Sequence, residues 1–190
     1  GNICYADSPE GLNREHAIFG ASRCVAVSPS DTAPALVALD ATMVISSESG
    51  QRTMSAQDFF IGPDRDIRNM TALDDGEILT AVRLPGEWAD AEFYFEKVAD
   101  RNVWDFALTS VAAVMKVSGG TIEDARIACG AVECVPRRLE SVESAIRGQQ
   151  RSEELGARAG EMAVEGARPL NYNNFKVPLM ANLVARAVRG

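Results

Sequence analysis

Residues 106–132 read FALTSVAAVMKVSGGTIEDARIACGAV, and this segment decides the fold. Its two apolar stretches, residues 106–117 and 122–132, predict two strands, and the Ser-Gly-Gly sequence at 118–120 is typical of a hairpin turn. A third strand is predicted just before them, at Glu92 to Val98. The first apolar stretch is too short to cross a membrane, which takes about 20 residues. The segment therefore predicts a three-stranded antiparallel sheet.

The chain after this sheet follows a helical pattern. Apolar residues recur at helical spacing from Arg137 and predict a first helix that ends at Gly148. Ser152 is an N-cap residue type and predicts the start of a second helix. A third helix is predicted between Asn174 and Arg189. Strands followed by a three-helix cluster indicate an α+β fold.

The chain before the sheet mixes strand and helix patterns. The predicted elements are a strand at 24–27, a helix that opens at Ser30-Asp31, a hairpin at 42–54, a helical turn at 56–60 and a strand at 77–84. Pro85-Gly86 ends the last of these strands, and we expect the domain boundary there. The predicted domains are residues 1–86 and 87–190.

The composition excludes several classes of protein. The chain has 190 residues, of which 46% are hydrophobic and 24% charged, a balance typical of globular proteins and not of disordered ones. Its net charge of −8 argues against a surface that binds nucleic acid or an anionic membrane. No basic segment followed by an apolar one opens the chain, so we expect no signal peptide.

The chemistry-bearing motifs that would identify common enzymes are absent from the sequence. There is no phosphate-binding G-x-x-x-x-G-K-[ST] loop, no G-x-G-x-x-G and no G-x-S-x-G, and the single histidine, His16, has no evident catalytic partner. The four cysteines are too few for a disulfide scaffold, which indicates a reducing compartment, and their spacing fits no zinc site. We expect no metal on this chain and a cytoplasmic location.

Two groups of polar residues remain as candidate sites. The first is Pro29-Ser30-Asp31, which is either a helix cap or a site where backbone amides meet phosphate or sugar hydroxyls. The second is Lys97, with Arg101 and Asp105. A lysine in this setting is usually solvated or paired with a nearby acid such as Asp100.

Seven short motifs follow one another along the chain. Those of the first half are Gly1-Asn2-Ile3, Pro29-Ser30-Asp31 continuing to Ala41, Asp58-Phe59-Phe60, and Leu73 to Pro85 with Gly76-Glu77-Ile78-Leu79. Those of the second half are Glu96-Lys97 to Arg101 with Asp105-Phe106-Ala107, Ala125 to Val132 with Pro136-Arg137-Arg138, and Asn174 to Pro178. Each is weak alone, but their shared order is informative.

In this order the motifs resemble the FAD-binding medium subunit, or domain, of the molybdenum hydroxylases. This family includes xanthine dehydrogenases, aerobic carbon monoxide dehydrogenases and 4-hydroxybenzoyl-CoA reductases. The resemblance covers nearly the whole chain. It implies a mixed α/β second lobe of a two-lobed FAD-binding domain, followed by a C-terminal domain with the sheet and helices predicted above.

The resemblance also implies a set of flavin-binding residues. Gly1 and Asn2 would meet the pyrophosphate, and Ser30 and Asp31 the ribityl and phosphate region. Ala72 and Leu73 would approach the isoalloxazine ring through their backbone, and Lys97 would stabilise reduced flavin at the polar edge of the ring. The resemblance assigns no catalytic residue. Arg101 and Asp105 are assigned to positioning.

The family pattern also sets expectations about cofactors. The family's first FAD lobe precedes the Gly-Asn motif, so we expect this chain alone to fold but to bind FAD poorly. Some relatives carry an extra iron–sulfur cluster near residues 13–31, which takes four thiolates. Here Cys4 and Cys24 supply two, and we expect no cluster.

The function implied by the resemblance is electron transfer. FAD in the complete subunit would pass electrons from iron–sulfur clusters to NAD or another acceptor. The partners would be a molybdenum-binding large subunit and a 2Fe-2S small subunit. The alternative is an assembly module that docks on partner subunits without flavin.

Overall fold

The computed structural model describes residues 4–21 and 23–190. Within them, one sheet contains β1 (Thr42–Ser47), β2 (Gly50–Ser55) and β3 (Ile78–Arg83), and the other β4 (Glu92–Val98), β5 (Thr109–Ser118), β6 (Thr121–Gly130) and β7 (Arg137–Arg138). The α-helices are α1 (Thr32–Ala38), α2 (Ala56–Phe59), α3 (Glu140–Ile146), α4 (Glu153–Ala163) and α5 (Lys176–Arg189). Two short 3-10 turns lie at Tyr5–Asp7 and Gly86–Trp88. The predicted α+β class is confirmed.

The hairpin predicted from the central segment forms as expected. Strands β5 and β6 pair antiparallel from Ser110 opposite Gly130 to Ser118 opposite Thr121. Gly119 and Gly120 form the turn, both with positive φ (56° and 83°), a conformation that glycine adopts without a steric penalty. Strand β4 adds to the other side of β5.

The second sheet has one strand more than the sequence predicts. Its order is β4-β5-β6-β7, because Arg137 and Arg138 pair with Cys129 and Ala128 instead of starting a helix. The helical stripe of apolar residues begins only at Leu139, so periodicity carried no information about the two residues before it. The expected count of three strands is therefore corrected to four.

The strand predicted at 24–27 is wrong. These residues form no helix or strand and lie outside both sheets. Their neighbourhood is held by single backbone hydrogen bonds instead, from the Ala17 amide to the Val25 carbonyl (2.8 Å) and from the Ser28 amide to the Glu133 carbonyl (3.1 Å). An apolar stretch of four residues does not specify whether its backbone pairs with a neighbouring strand.

Strand β5 is buried on both faces. Val111, Ala113 and Met115 face the C-terminal helices, and they belong to the core cluster that includes Leu183 of α5. Ala112 and Val114 point the other way, into a cluster that includes Val37, Met43 and Trp88 from the first half of the chain. The sheet is therefore the middle layer of the structure, and the two halves of the chain share it.

Helices α4 and α5 approach each other at two glycines. A Cβ atom at Gly156 would lie 2.8 Å from the carbonyl oxygen of Ala185, and one at Gly160 would lie 2.4 Å from that of Ala181. Both distances are shorter than any Cβ atom tolerates, and the obstructing atoms belong to the backbone. The packing of this helix pair therefore requires glycine at both positions.

The irregular N-terminal segment is part of the core. Ala17, Ile18 and Phe19 are buried, and the amides of Ile18 and Phe19 donate to the Val132 carbonyl. The Arg168 amide donates in turn to the Ile18 carbonyl at 2.7 Å. A buried loop must satisfy its backbone polar groups, and here the loops after β6 and α4 supply the partners.

We predict that Gly160→Ala destabilises the protein even though alanine favours helices by about 1 kcal/mol over glycine. The added methyl group meets the Ala181 carbonyl oxygen and must push α5 away, which costs about 1–3 kcal/mol. Gly86→Ala is the control, because its Cβ would meet nothing within 4 Å. Urea unfolding of both variants measures the difference, and an equal midpoint for the two would contradict the prediction.

Candidate functional site

Ser30 and Asp31 have different roles. The sequence left open whether this pair caps a helix or binds a ligand. The Ser30 hydroxyl accepts a hydrogen bond from the Ala33 amide at 3.2 Å and so caps α1. Asp31 immediately precedes the helix, but its carboxylate caps no backbone amide. It accepts instead from the Lys97 ammonium at 2.7 Å. Asp31 is therefore available for a role other than capping.

Lys97 joins three parts of the chain. Besides Asp31, its ammonium donates to the backbone carbonyl of Asp105 at 2.6 Å. The Asp105 carboxylate accepts from the Arg101 amide at 2.9 Å, and this bond closes the loop after β4. Lys97 is mostly buried, with 24% of its side chain exposed. It therefore fixes that loop against the start of α1.

The sequence suggested Asp100 as a partner for Lys97, and the structure differs. Asp100 binds Arg14 with both of its carboxylate oxygens, at 2.7 and 2.8 Å. This hydrogen bonding is the main reason why the pKa of Asp100 is lowered. The guanidinium of Arg14 also lies over the ring of Phe175, 5.2 Å from its centre. Arg14 therefore ties the N-terminal segment to the loop after β4.

A pocket of about 270 Å³ opens beside the Asp31–Lys97 ion pair. Residues 27–31 form one wall, the stretch 105–108 forms a second, and Ala131 closes a third side. The ring of Phe106 is exposed at the rim. Backbone, hydroxyl, carboxylate and aromatic groups therefore meet at one concave surface.

Ala72 and Leu73 line a different pocket, of about 420 Å³. The Ala72 amide donates to the Phe59 carbonyl at 2.8 Å, and its carbonyl accepts from Arg52 at 2.7 Å. Arg52 also binds Glu77 through two hydrogen bonds of 2.6 Å. Arg52 and the Asp74 amide together hold the pKa of Glu77 down at about 2. The backbone that precedes β3 is thus fixed by an arginine.

The structure brings together three of the seven predicted site residues. Ser30 and Asp31 line the first pocket and Lys97 binds Asp31 there, whereas Ala72 and Leu73 line the second. Gly1 and Asn2 lie outside the described residues.

Lys176 is a residue of the site region that the sequence analysis missed. It is fully buried at the start of α5, and its ammonium donates to the carbonyls of Glu15 (2.6 Å), His16 (3.0 Å) and Ala131 (2.8 Å). Glu15 and Ala131 also line the first pocket. Burial lowers the pKa of Lys176 to about 8. The sequence did contain a signal for this burial. Lys176 is in line with Met180, Leu183 and Val184 on the apolar face of the predicted helix.

Two asparagines complete the same network. The Asn173 amide group donates to the His16 and Ala17 carbonyls at 3.0 and 3.1 Å, and its side-chain oxygen accepts from the Leu170 amide. Asn13 accepts from the Tyr172 amide at 2.9 Å and donates to the Ala6 carbonyl. Both asparagines are buried. Side chains near the two ends of the described chain therefore hold the N-terminal segment against the start of α5.

Residues 4–21 and 23–190 contain neither a metal-binding cluster nor a membrane-spanning helix. No group of three or more His, Cys, Asp and Glu side chains in these ranges is arranged to hold a metal ion. No helix within them combines the length and the apolar character needed to cross a membrane.

Comparison with protein families identifies the fold. Residues 1–87 match the FAD-binding domain of molybdopterin dehydrogenases, and residues 94–190, just over half of the chain, match the C-terminal domain of the CO dehydrogenase flavoprotein. This chain belongs to the FAD-binding flavoprotein family of the molybdenum hydroxylases. The expectation from its seven motifs is confirmed.

Individual relatives are flavin-binding or medium subunits of oxidoreductases. The chain is 35% identical over 179 residues to the FAD-binding subunit PaoB of the Escherichia coli aldehyde oxidoreductase, covering 93% of this chain and 52% of that subunit. It is 36% identical over 126 residues to the glyceraldehyde dehydrogenase medium chain of Sulfolobus acidocaldarius, covering 66% and 42%. The chain thus spans about half the length of these relatives.

Solved structures agree with this assignment. The carbon monoxide dehydrogenase of Hydrogenophaga pseudoflava superimposes with a TM-score of 0.73 at 28% identity, over 83% of this chain and 54% of its own. Quinoline 2-oxidoreductase from Pseudomonas putida 86 gives 0.72 at 28% identity, over 92% and 63%. The flavoprotein family is therefore supported by both sequence and fold.

We predict that the stability of the protein depends on pH through Lys176. The unfolded chain holds the lysine proton up to its ordinary pKa of 10.5, whereas the folded protein releases it near 8. Between these values the unfolded state binds more protons, so the free energy of unfolding rises with pH, by up to about 1.4 kcal/mol per pH unit.

Lys176→Met removes the titrating ammonium group and leaves the three carbonyls that it binds without a hydrogen-bond donor. We expect a loss of about 1–3 kcal/mol at neutral pH, and a larger gap from the wild-type protein at pH 9.5 than at pH 7. Denaturant unfolding of both proteins at the two pH values measures the gap. A gap that narrows as the pH rises would contradict the pKa assignment.

Proposed function

We propose that this chain is the flavin-carrying electron-transfer part of a molybdenum hydroxylase-type dehydrogenase. Electrons would come from iron–sulfur clusters and leave through flavin to NAD or another acceptor. The observation that carries the proposal is the Asp31–Lys97 pair beside the first pocket, in a chain of the FAD-binding family. The assembly-module alternative is not favoured, because the relatives named above are FAD-binding or medium subunits.

The groups around the first pocket suit the sugar-like part of FAD. The Ser30 and Thr32 hydroxyls lie 3.1 Å apart, and the Asp31 carboxylate can accept from ribityl hydroxyls while it keeps its bond to Lys97. The pocket is smaller than the roughly 300–1,000 Å³ of typical ligand sites. We therefore assign it the ribityl and phosphate region alone.

The remaining assignments extend the proposed site beyond that pocket. Gly1 and Asn2 are proposed to bind the pyrophosphate. The segment at Ala72 and Leu73 is proposed to approach the ring, and Arg52 would hold its backbone in place for that contact. Arg101 and Asp105 would keep the loop after β4 closed.

FAD, when bound, supplies the redox chemistry by accepting electrons and passing them on. Lys97 would contribute the electrostatics. An ammonium group has three donors, and Asp31 and Asp105 take two of them. The third N–H and the positive charge would favour an anionic form of the ligand over a neutral one.

The partners that we propose are a molybdenum-binding large subunit and a 2Fe-2S small subunit. The relatives that support this are described as subunits or medium chains, which implies assembly with other chains. We also propose a cytoplasmic location, since four cysteines provide no disulfide scaffold. Residues 1–86 and 87–190 remain our proposed domains.

We predict that Asp31→Asn weakens FAD binding by about 10- to 100-fold, because a charge-assisted hydrogen bond contributes about 1.5–3 kcal/mol. The experiment is a fluorescence titration of FAD into the flavin-free subunit that contains this chain. Ser30→Ala tests the capping role separately, and it should lower the thermal midpoint more than Asp31→Asn does. Equal FAD affinities for wild type and Asp31→Asn would remove Asp31 from the site.

We predict that Lys97→Met lowers the two-electron reduction potential of the bound flavin. Loss of about 1.4 kcal/mol of stabilisation of the reduced form corresponds to about 30 mV. Lys116→Met is the control, because Lys116 lies over the ring of Trp88 and away from the pocket residues. Spectroscopic redox titration of the holoprotein measures both variants, and an unchanged potential in Lys97→Met would refute this role.

A further inference from the structure

Two cysteines lie on neighbouring loops. Cys24 is in the irregular segment before α1, and Cys134 is in the loop between β6 and β7, 110 positions later. The hydrogen bond from the Ser28 amide to the Glu133 carbonyl holds the two loops together. The loops therefore meet independently of the cysteines.

The two thiols converge on one residue, Ala26. The Cys24 sulfur accepts from the Ala26 amide at 3.5 Å, and the Cys134 thiol donates to the Ala26 carbonyl at 2.8 Å. The Cys134 sulfur is also 3.9 Å from the Cys24 carbonyl oxygen. Both sulfur atoms therefore contact the same short segment, and a disulfide between them requires their Cβ atoms to lie within about 4.5 Å of each other.

The surroundings of the two thiols differ. Cys24 is partly exposed, whereas Cys134 has 6% of its surface exposed. Burial, together with the nearby Cys24 side chain, raises the pKa of Cys134 to about 12. An oxidant from solvent therefore reaches Cys24 first. Cys134 is buried beside it and is less accessible to the oxidant.

We propose that Cys24 and Cys134 form a reversible disulfide when the protein meets a hydroperoxide. Cys24 sulfur attacks the peroxide oxygen, which gives a sulfenic acid and one water molecule. Cys134 sulfur then attacks the Cys24 sulfur, the S–O bond breaks, and the hydroxyl leaves as a second water with the Cys134 proton. Two thiols are oxidised by two electrons, and one hydrogen peroxide is reduced to two waters. A dithiol reverses the reaction.

The disulfide would act on the walls of the first pocket. Residues 27–31 follow Cys24 closely, and Ala131 lies three positions before Cys134. A covalent link between the loops would hold these walls at a fixed separation. It would also close a large loop in the unfolded chain, which favours the folded state.

The test uses the purified 190-residue chain and hydrogen peroxide. After oxidation and alkylation with N-ethylmaleimide, non-reducing peptide mapping should find a Cys24–Cys134 cross-link in the wild type. A thiol assay in denaturant should count two thiols instead of four. The thermal midpoint should rise by several degrees and return after dithiothreitol.

Variants separate the pair from the other cysteines. Cys4→Ser should still form the cross-link, because Cys4 has no part in it, whereas Cys24→Ser should keep all its remaining thiols at the same peroxide dose. If the wild-type protein instead gains a Cys4–Cys24 link, or a Cys24 sulfinic acid with Cys134 still alkylated, the proposal is overturned. Peptide mapping on wild-type protein decides the question even if a Cys134→Ser variant does not fold.

Discussion

The structure depends on the burial of both faces of strand β5. A strand buried on one face allows polar residues at every second position, but Val111 to Met115 are all apolar and all buried. The odd positions pack against the C-terminal helices, and the even ones against α1 and the first sheet. One strand thus holds together two layers that differ in sequence and structure. The pocket beside Asp31 is lined both by the segment before α1 and by Ser110 of β5.

The Asp31–Lys97 contact illustrates how this arrangement produces a site. Lys97 is on β4, and Asp31 precedes a helix of the opposite layer. The two residues meet because α1 packs on the sheet to which β4 belongs. The exposed part of the ion pair costs little to maintain, because solvent still reaches the Asp31 carboxylate. A group that keeps some contact with solvent can exchange water for a ligand hydroxyl, which a fully buried pair cannot do.

Sequence patterns predicted the features that depend on neighbouring residues and missed those that depend on long-range contacts. The Gly119-Gly120 turn and the stripe from Leu139 to Ile146 depend on neighbouring residues, and both were predicted correctly. The two-residue strand at 137–138 exists because β6 offers it a free edge, which no window of sequence reveals. The flavin-site residues came from resemblance, and geometry then divided them between two pockets. The burial of Lys176 depends on carbonyls that lie up to 161 positions away, so the residues near it in the sequence do not reveal it.

The contacts of α5 with the N-terminal segment also set the order in which the protein can acquire its structure. Residues 13–19 depend on Asn173, Lys176 and Arg168 for their hydrogen bonds. The ribosome makes residues 13–19 well before α5, so until α5 emerges this segment lacks the partners for these hydrogen bonds. Chains dominated by such distant contacts fold slowly. Residues 13–19 are therefore ordered only after α5 has been made, and until then they are accessible to proteases and chaperones.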